Sequence, residues 1–149
     1  MILKQQIHHH FLQVITGRIL QLENVLADLK ESGSNETKSS AGDKHETSLA
    51  MLQIEQANTR KQLQEISAQL AAFTKIDPAV PHHIIANGSL VYTDKGNFYI
   101  SSALGKVTMQ EYSVTAVSPQ SPLAIQFMGL KAGDSLTVNK RFYIIQAVA

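Results

Sequence analysis

The chain changes its hydrophobic period once, and that change limits the folds open to it more than any other feature. Leu49, Leu52, Gln56, Thr59, Leu63, Ile66, Leu70 and Phe73 recur at alternating three- and four-residue steps, the spacing of a heptad seam. Between residues 2 and 31, Ile7, Phe11, Val14, Ile15, Ile19, Leu22, Val25, Leu26 and Leu29 form a broader helical stripe uninterrupted by Pro. Asp77-Pro78 and Pro81 end the helical pattern, because the residue before a proline is pushed out of the helical region. Two stripes of similar length joined by one connection give an antiparallel coiled-coil hairpin. About 30 residues at about 1.5 Å each make a rod roughly 45 Å long.

Downstream the runs become short, β-branched and aromatic: "GSLVYT", "NFYISSAL", "YSVTAV", "DSLTV" and "RFYIIQAV", separated by turn residues. Asp94-Lys95-Gly96-Asn97 and Asn139-Lys140 read as hairpin turns. "SPLAIQFMG" reads as a short helix with Ser121 as its cap, Pro122 in its first turn and Gly129 as its stop. The expected class is therefore α+β, with a helical hairpin over residues 1–77 and a small antiparallel sheet domain with one short helix over 78–149. Ser32-Gly33 is expected to stop the first helix, Gly being common just past a helix end. Gly17 lies inside that helix and costs about 1 kcal/mol relative to Ala. Gln56 and Thr59 are polar breaks in the second seam, of the kind that fix register at some cost in stability.

Composition narrows the function classes. With 44% apolar and 17% charged residues over 149 positions, the chain can bury a core and is not expected to be disordered. A formal net charge of +1 gives no global field to attract nucleic acid or an anionic membrane, so no DNA sequence recognition is expected. The chain has no Cys, which excludes disulfides and thiolate metal sites. No apolar run approaches the ~18 residues of a membrane span, and a soluble, cytoplasmic protein is expected. No Gly-rich phosphate loop, Ser-His-Asp order or Cys nucleophile is present, so a self-contained enzyme is not expected.

The stretch joining the two helical stripes, "NETKSSAGDKHETSLA", holds three carboxylates, Glu36, Asp43 and Glu46, together with Lys38 and Lys44. Asp43 followed by Glu46 matches a capping box opening the second helix. The same pair offers hard carboxylate oxygens of the kind magnesium prefers. Spacing leaves both readings open. Lys38 and Lys44 could touch phosphate or acidic groups of a partner. His8, His9 and His10 stand about 100° apart on a helix, cannot converge on one ion, and read as surface residues. His82 and His83 follow Pro81 in the linker and suggest no role.

Two local motifs, in this order of parts, resemble the Gre transcript-cleavage factors of bacterial RNA polymerase. The first is Gly42-Asp43 with an acid three positions on, Glu46. The second is Ser121, Pro122, Leu123 and Ala124, then Gly129, Lys131, Gly133 and Asp134. The resemblance implies a coiled-coil hairpin followed by an FKBP-like domain. It implies a factor that is not itself an enzyme but enters the polymerase secondary channel and stimulates cleavage of backtracked RNA. It further implies that Asp43 and Glu46 assist catalysis by sharing a magnesium ion with the polymerase, with none bound by the free protein. Glu36, Lys38 and Lys44 would make tip contacts, including near the RNA 3′ end. Ser121, Pro122, Leu123, Gly129, Lys131, Gly133 and Asp134 would contact the polymerase. The tip departs from the family pattern: Thr47 replaces an Asn, and a later Glu-Tyr pair is missing. Two alternatives stay open, a regulator that occupies the channel without stimulating cleavage and a coiled-coil module with another partner.

Overall fold

The computed structural model describes the backbone of residues 2–38 and 42–149, and the side chains of 3–34 and 46–149. Two long helices, α1 (Ile2–Lys38) and α2 (Gly42–Thr74), precede six strands and one short helix. The strands are β1 (Leu90–Thr93), β2 (Gly96–Ile100), β3 (Gly105–Met109), β4 (Tyr112–Val117), β5 (Ser135–Val138) and β6 (Arg141–Val148), with α3 (Pro122–Phe127) between β4 and β5. The α+β class expected from the change of period is the class observed. The chain forms two compact units, Val14–Leu70 and Met1–Gln13 with Ala71–Ala149.

In the Val14–Leu70 unit, the seam of α2 is protected at the positions the heptad spacing marks. Leu49, Leu52, Gln56, Leu63 and Leu70 are half-buried, and Thr59 and Ile66 are buried. On α1, Ile15 is buried and Ile19, Leu22, Leu26 and Leu29 are half-buried, whereas Val25, placed in the stripe by the sequence, is exposed. The stop expected at Ser32-Gly33 is absent, since α1 continues to Lys38. Gly33 is instead a seam position, half-buried four residues after Leu29, and a Cβ there would sit 3.6 Å from the Gln56 amide nitrogen. That amide donates to the Leu29 carbonyl at 3.2 Å. Gln56 therefore uses its polar group across the seam, opposite a residue small enough to admit it. Thr59 satisfies its hydroxyl on its own helix, donating to the Glu55 carbonyl at 2.8 Å. Gln56 thus ties the helices together by a hydrogen bond, whereas the Thr59 hydroxyl stays on its own helix.

The other unit holds a six-stranded sheet in the order β3-β4-β2-β1-β6-β5. An antiparallel sheet is expected and four neighbouring pairs are antiparallel, but β2 and β4 run parallel, which makes the sheet mixed. The cause is β3, which the sequence reading passes over. After β2 the chain crosses to the sheet edge, forms β3, and returns as β4 between β3 and β2. "GKVTM" carries Gly and Lys and only two residues that are half-buried, so its signal as an edge strand is weak. The expected turns are present. Asp94-Lys95 closes β1 on β2, and Asn139-Lys140, both at positive φ, closes β5 on β6, the geometry of a primed hairpin turn.

Successive strand residues face opposite sides, and here both sides are covered. Val91, Ile100 and Ile145 join Ile85, Ala124 and Phe127 in the core beneath α3. Their sequence neighbours Leu90 and Tyr99, also fully buried, face the other way. There Tyr99 meets Phe11 of α1 and Phe73 of α2, with ring centroids 6.3 and 6.1 Å away. The first turns of α1 and the last turn of α2 thus belong to the sheet's own core.

Two expectations follow. Gly17 lies within α1, and a Cβ added there meets nothing within 4 Å. Gly17→Ala should therefore stabilise the protein by about 0.5–1 kcal/mol, read from denaturant unfolding; a loss of stability would show that Gly17 serves some purpose other than tolerance. A fragment of residues 78–149 would uncover Tyr99 by removing Phe11 and Phe73 together. It should lose more than the ~3–5 kcal/mol of one large aromatic truncation, and a fragment melting as high as the whole chain would contradict that packing.

Candidate functional site

The sequence points to two places, and the structure describes them unequally. Glu36 and Lys38 fall in the last turn of α1, and Asp43 and Lys44 in the first turn of α2; their side chains lie outside the described residues. The stretch expected as a charged loop is thus largely helical, because α1 runs on past Gly33 and α2 starts at Gly42 rather than near residue 47. Asp43 lies just inside the helix start rather than before it. A carboxylate in the first turn is favoured there by the helix dipole. Glu46 comes three residues after Asp43 and is exposed.

The second place is the run from Ser121 to Asp134, and each of its residues has a visible structural task. Ser121 caps α3, its hydroxyl oxygen accepting from the Ala124 N–H at 3.2 Å. Pro122 occupies the first turn, where no N–H is needed. Leu123 packs against the core and Ala124 is part of it. Gly129 and Gly133 have φ of +82° and +93°, conformations that side chains other than Gly's adopt at a cost. Asp134 closes the turn between them, accepting from the Lys131 N–H at 2.9 Å. Lys131, Gly129 and Gly133 are exposed. Beside this run, exposed Pro122 and Ile125 line an open groove of about 450 Å³ with Gln126, Thr137, Val138 and Asn139.

A third cluster is one the sequence reading missed. His8 is buried rather than on the surface, at 8% exposure. Its ring stacks on Phe73, with centroids 4.2 Å apart and planes 15° from parallel, and its Nδ1 lies 2.7 Å from the Tyr99 hydroxyl. His9 is exposed and His10 half-buried, as consecutive helix positions require. Burial pushes Tyr99 far above the usual phenol range, so its hydroxyl stays protonated beside His8. Burial pushes His8 below the ordinary histidine value; Asp77 opposes this, and Lys4 and His9 add to it. One turn before His8, Lys4 is also buried, its ammonium donating to the Val80 carbonyl at 3.0 Å. Burial lowers its pKa, with Asp77 pulling the other way. His82, which the sequence left without a role, has its Nδ1 2.5 Å from the Ser89 hydroxyl. Ser89 accepts from the Ala86 N–H, so it is free to donate to His82. The three- and four-residue spacing of Lys4, Ile7, His8 and Phe11 was the available signal, because it continues the apolar stripe of α1 to its start.

Among the described residues, no three His, Asp or Glu side chains are placed to hold a metal ion. No described helix is long and apolar enough to cross a membrane. No protein-family model matches the chain, and no curated protein does. Among solved structures, one titled "Structure of the transcription factor Gfh1" is similar at 16% identity over 92% of each chain, with a TM-score of 0.38.

Proposed function

We propose that this protein is a Gre-like transcription factor that binds RNA polymerase, enters its secondary channel with the helical hairpin, and stimulates cleavage of backtracked RNA. One observation carries the reading. Gly42 and Asp43 open a helix of 33 residues, about 50 Å long by its rise, with Glu46 exposed one turn on. The motif acids therefore stand at the start of a long helical element, where they can reach another protein's active centre. The motif from Ser121 to Asp134 and its flanking groove supply the grip on the polymerase.

In this reading Asp43 and Glu46 contribute carboxylate oxygens, the hard donors that magnesium accepts. An exposed Glu46 fits that role as one donor of a shared set, with the remaining ligands supplied by the polymerase. Magnesium, when bound, stabilises the attacking and leaving oxygens of the phosphodiester displacement. Lys38 and Lys44 neighbour the acids in sequence and would meet the phosphate of the RNA 3′ end. The protein supplies these groups and their placement, and the polymerase does the hydrolysis.

A second reading is favoured by the tip sequence itself. Thr47 stands where the family has Asn, and the later Glu-Tyr pair is missing. In this version the hairpin fills the channel and slows or redirects transcription without promoting cleavage. A transcript-cleavage assay on stalled complexes separates the two.

Asp43→Asn sharpens the test. Asn is a good residue at a helix start, so stability should change by less than about 1 kcal/mol. A neutral amide is a poorer magnesium ligand than a carboxylate. Polymerase binding should persist while most of the stimulated cleavage is lost, and Glu46→Gln should show a milder version. If the wild type stimulates cleavage and Asp43→Asn matches it, Asp43 serves the helix alone. If the wild type never stimulates, the channel-occupying reading replaces the first.

A further inference from the structure

The histidine tract is the sequence feature that the proposed function leaves unused, and its first member has an unusual place. His8 fills the gap between Phe73 of α2 and Tyr99 of β2, and is nearly sealed from solvent. We propose that His8 is a proton-sensitive latch that holds the first turns of α1 on the sheet when neutral and releases them when protonated. This inference stands apart from the polymerase reading and is tested without it.

The geometry sets the sign. Among the described residues, His8 is the only hydrogen-bond partner of the Tyr99 hydroxyl. In the latched state His8 is neutral with its proton on Nε2, and its Nδ1 accepts the phenolic proton, so both groups are satisfied. An imidazolium carries a proton on both ring nitrogens, so Nδ1 can then only donate. The Tyr99 oxygen then accepts from the imidazolium across 2.7 Å, and its own O–H must rotate away without another described acceptor. Tyr99 cannot relieve this by ionising, since burial opposes its anion.

The surrounding charges do not reverse that sign. On α1 itself, Lys4 and His9 both disfavour a second cation. After α2, Asp77 favours it, but Asp77 also faces Lys4. His82 stands near Lys4 and is held toward its neutral form by burial, then by Lys4. From β2 the facing group is Tyr99, and from α2 the Phe73 ring. A ring face attracts a cation, and of the charged groups Asp77 alone acts in the same direction, where burial of His8 outweighs it.

For a base whose pKa falls on docking, the undocked form binds more protons. Docking is then complete above the ordinary histidine value of about 6.5 and weakens as pH falls below it. Between the undocked and docked pKa values, the opening constant rises by up to about tenfold per pH unit. Asp94 does not confuse the window, because the Ile144 N–H and Lys95 hold its carboxyl below the ordinary carboxylate range.

The experiment uses the whole chain. Histidine NMR titration should place His8 below 6.5 and reach its signal by following His8→Phe, in which that signal disappears. Amide exchange, corrected for its intrinsic pH dependence, should show residues 4–13 losing protection between pH 7.5 and 5.5 while β1 and β6 keep theirs. His8→Phe keeps a ring against Phe73 but cannot be protonated, and its protection over residues 4–13 should be independent of pH in that range. A His8 pKa at or above 6.5, measured on the wild type, overturns the latch whether or not the variant folds. So does an equal loss of protection in wild type and His8→Phe, which would assign the pH response to Lys4, His82 or the helix at large.

Discussion

The burial of Tyr99 is the constraint on which the sheet-bearing unit depends. Among the described residues it is the largest side chain with no exposure, and its phenol carries a polar atom into the core. An apolar wall alone would leave that hydroxyl unsatisfied at a cost of about 1–3 kcal/mol. The fold answers with three residues from two helices: Phe11 and Phe73 against the ring, and His8 at the oxygen. Helix ends are ordinarily where a chain frays. Here the first turns of α1 and the last turn of α2 are recruited into the core, so the sheet and the two helix ends form one compact unit.

That recruitment explains the buried lysine. Lys4 lies one turn before His8, on the face of α1 turned to the core, and its four-carbon stem is as useful there as any aliphatic chain. The ammonium at its end reaches the Val80 carbonyl, just ahead of Pro81. It thereby gives a backbone acceptor a partner in the segment that leaves α2, where no strand or helix does so. Asp77, three residues earlier, moderates the charge without forming a direct ion pair with it. The segment from Asp77 to Ser89 is then held at several points, by Lys4, by the Ala79 N–H on Asp77, and by His82 on Ser89.

Much of this fold was legible because its periods are clean. The α2 seam from Leu49 to Phe73, both two-residue turns and the Ser121-Pro122 helix start all follow from local spacing and turn chemistry, and the structure has them where the spacing puts them. The failures share one cause, tertiary context that no local rule carries. Gly33 looks like a stop until Gln56 is seen packed against it. β3 looks like a loop until β4 is seen returning beside it. His8 looks like one of three surface histidines until Tyr99 supplies a hydroxyl and Phe73 a ring. The candidate tip was legible only as a pattern of residue types, because acids at a helix start serve capping and metal binding through the same oxygens.

The two motifs therefore bear on function with different force. In the run from Ser121 to Asp134, the cap, the proline, the two left-handed glycines and the Asp134 turn are each required by the local backbone. A chain building this helix and turn would arrive at these residue types whatever surface it presented, so the match argues chiefly for the fold. Lys131 and Ile125 are different: their side chains are exposed and the backbone does not ask for them, and Ile125 lies beside the groove. At the tip the order is reversed. A helix start accepts Ser, Thr, Asn or Asp with little preference, so the backbone asks little of Asp43 and less of Glu46. The helix dipole favours acids there in any case, so under the proposed function the residues around them, Thr47 foremost, are where cleavage and mere occupancy of a channel would part.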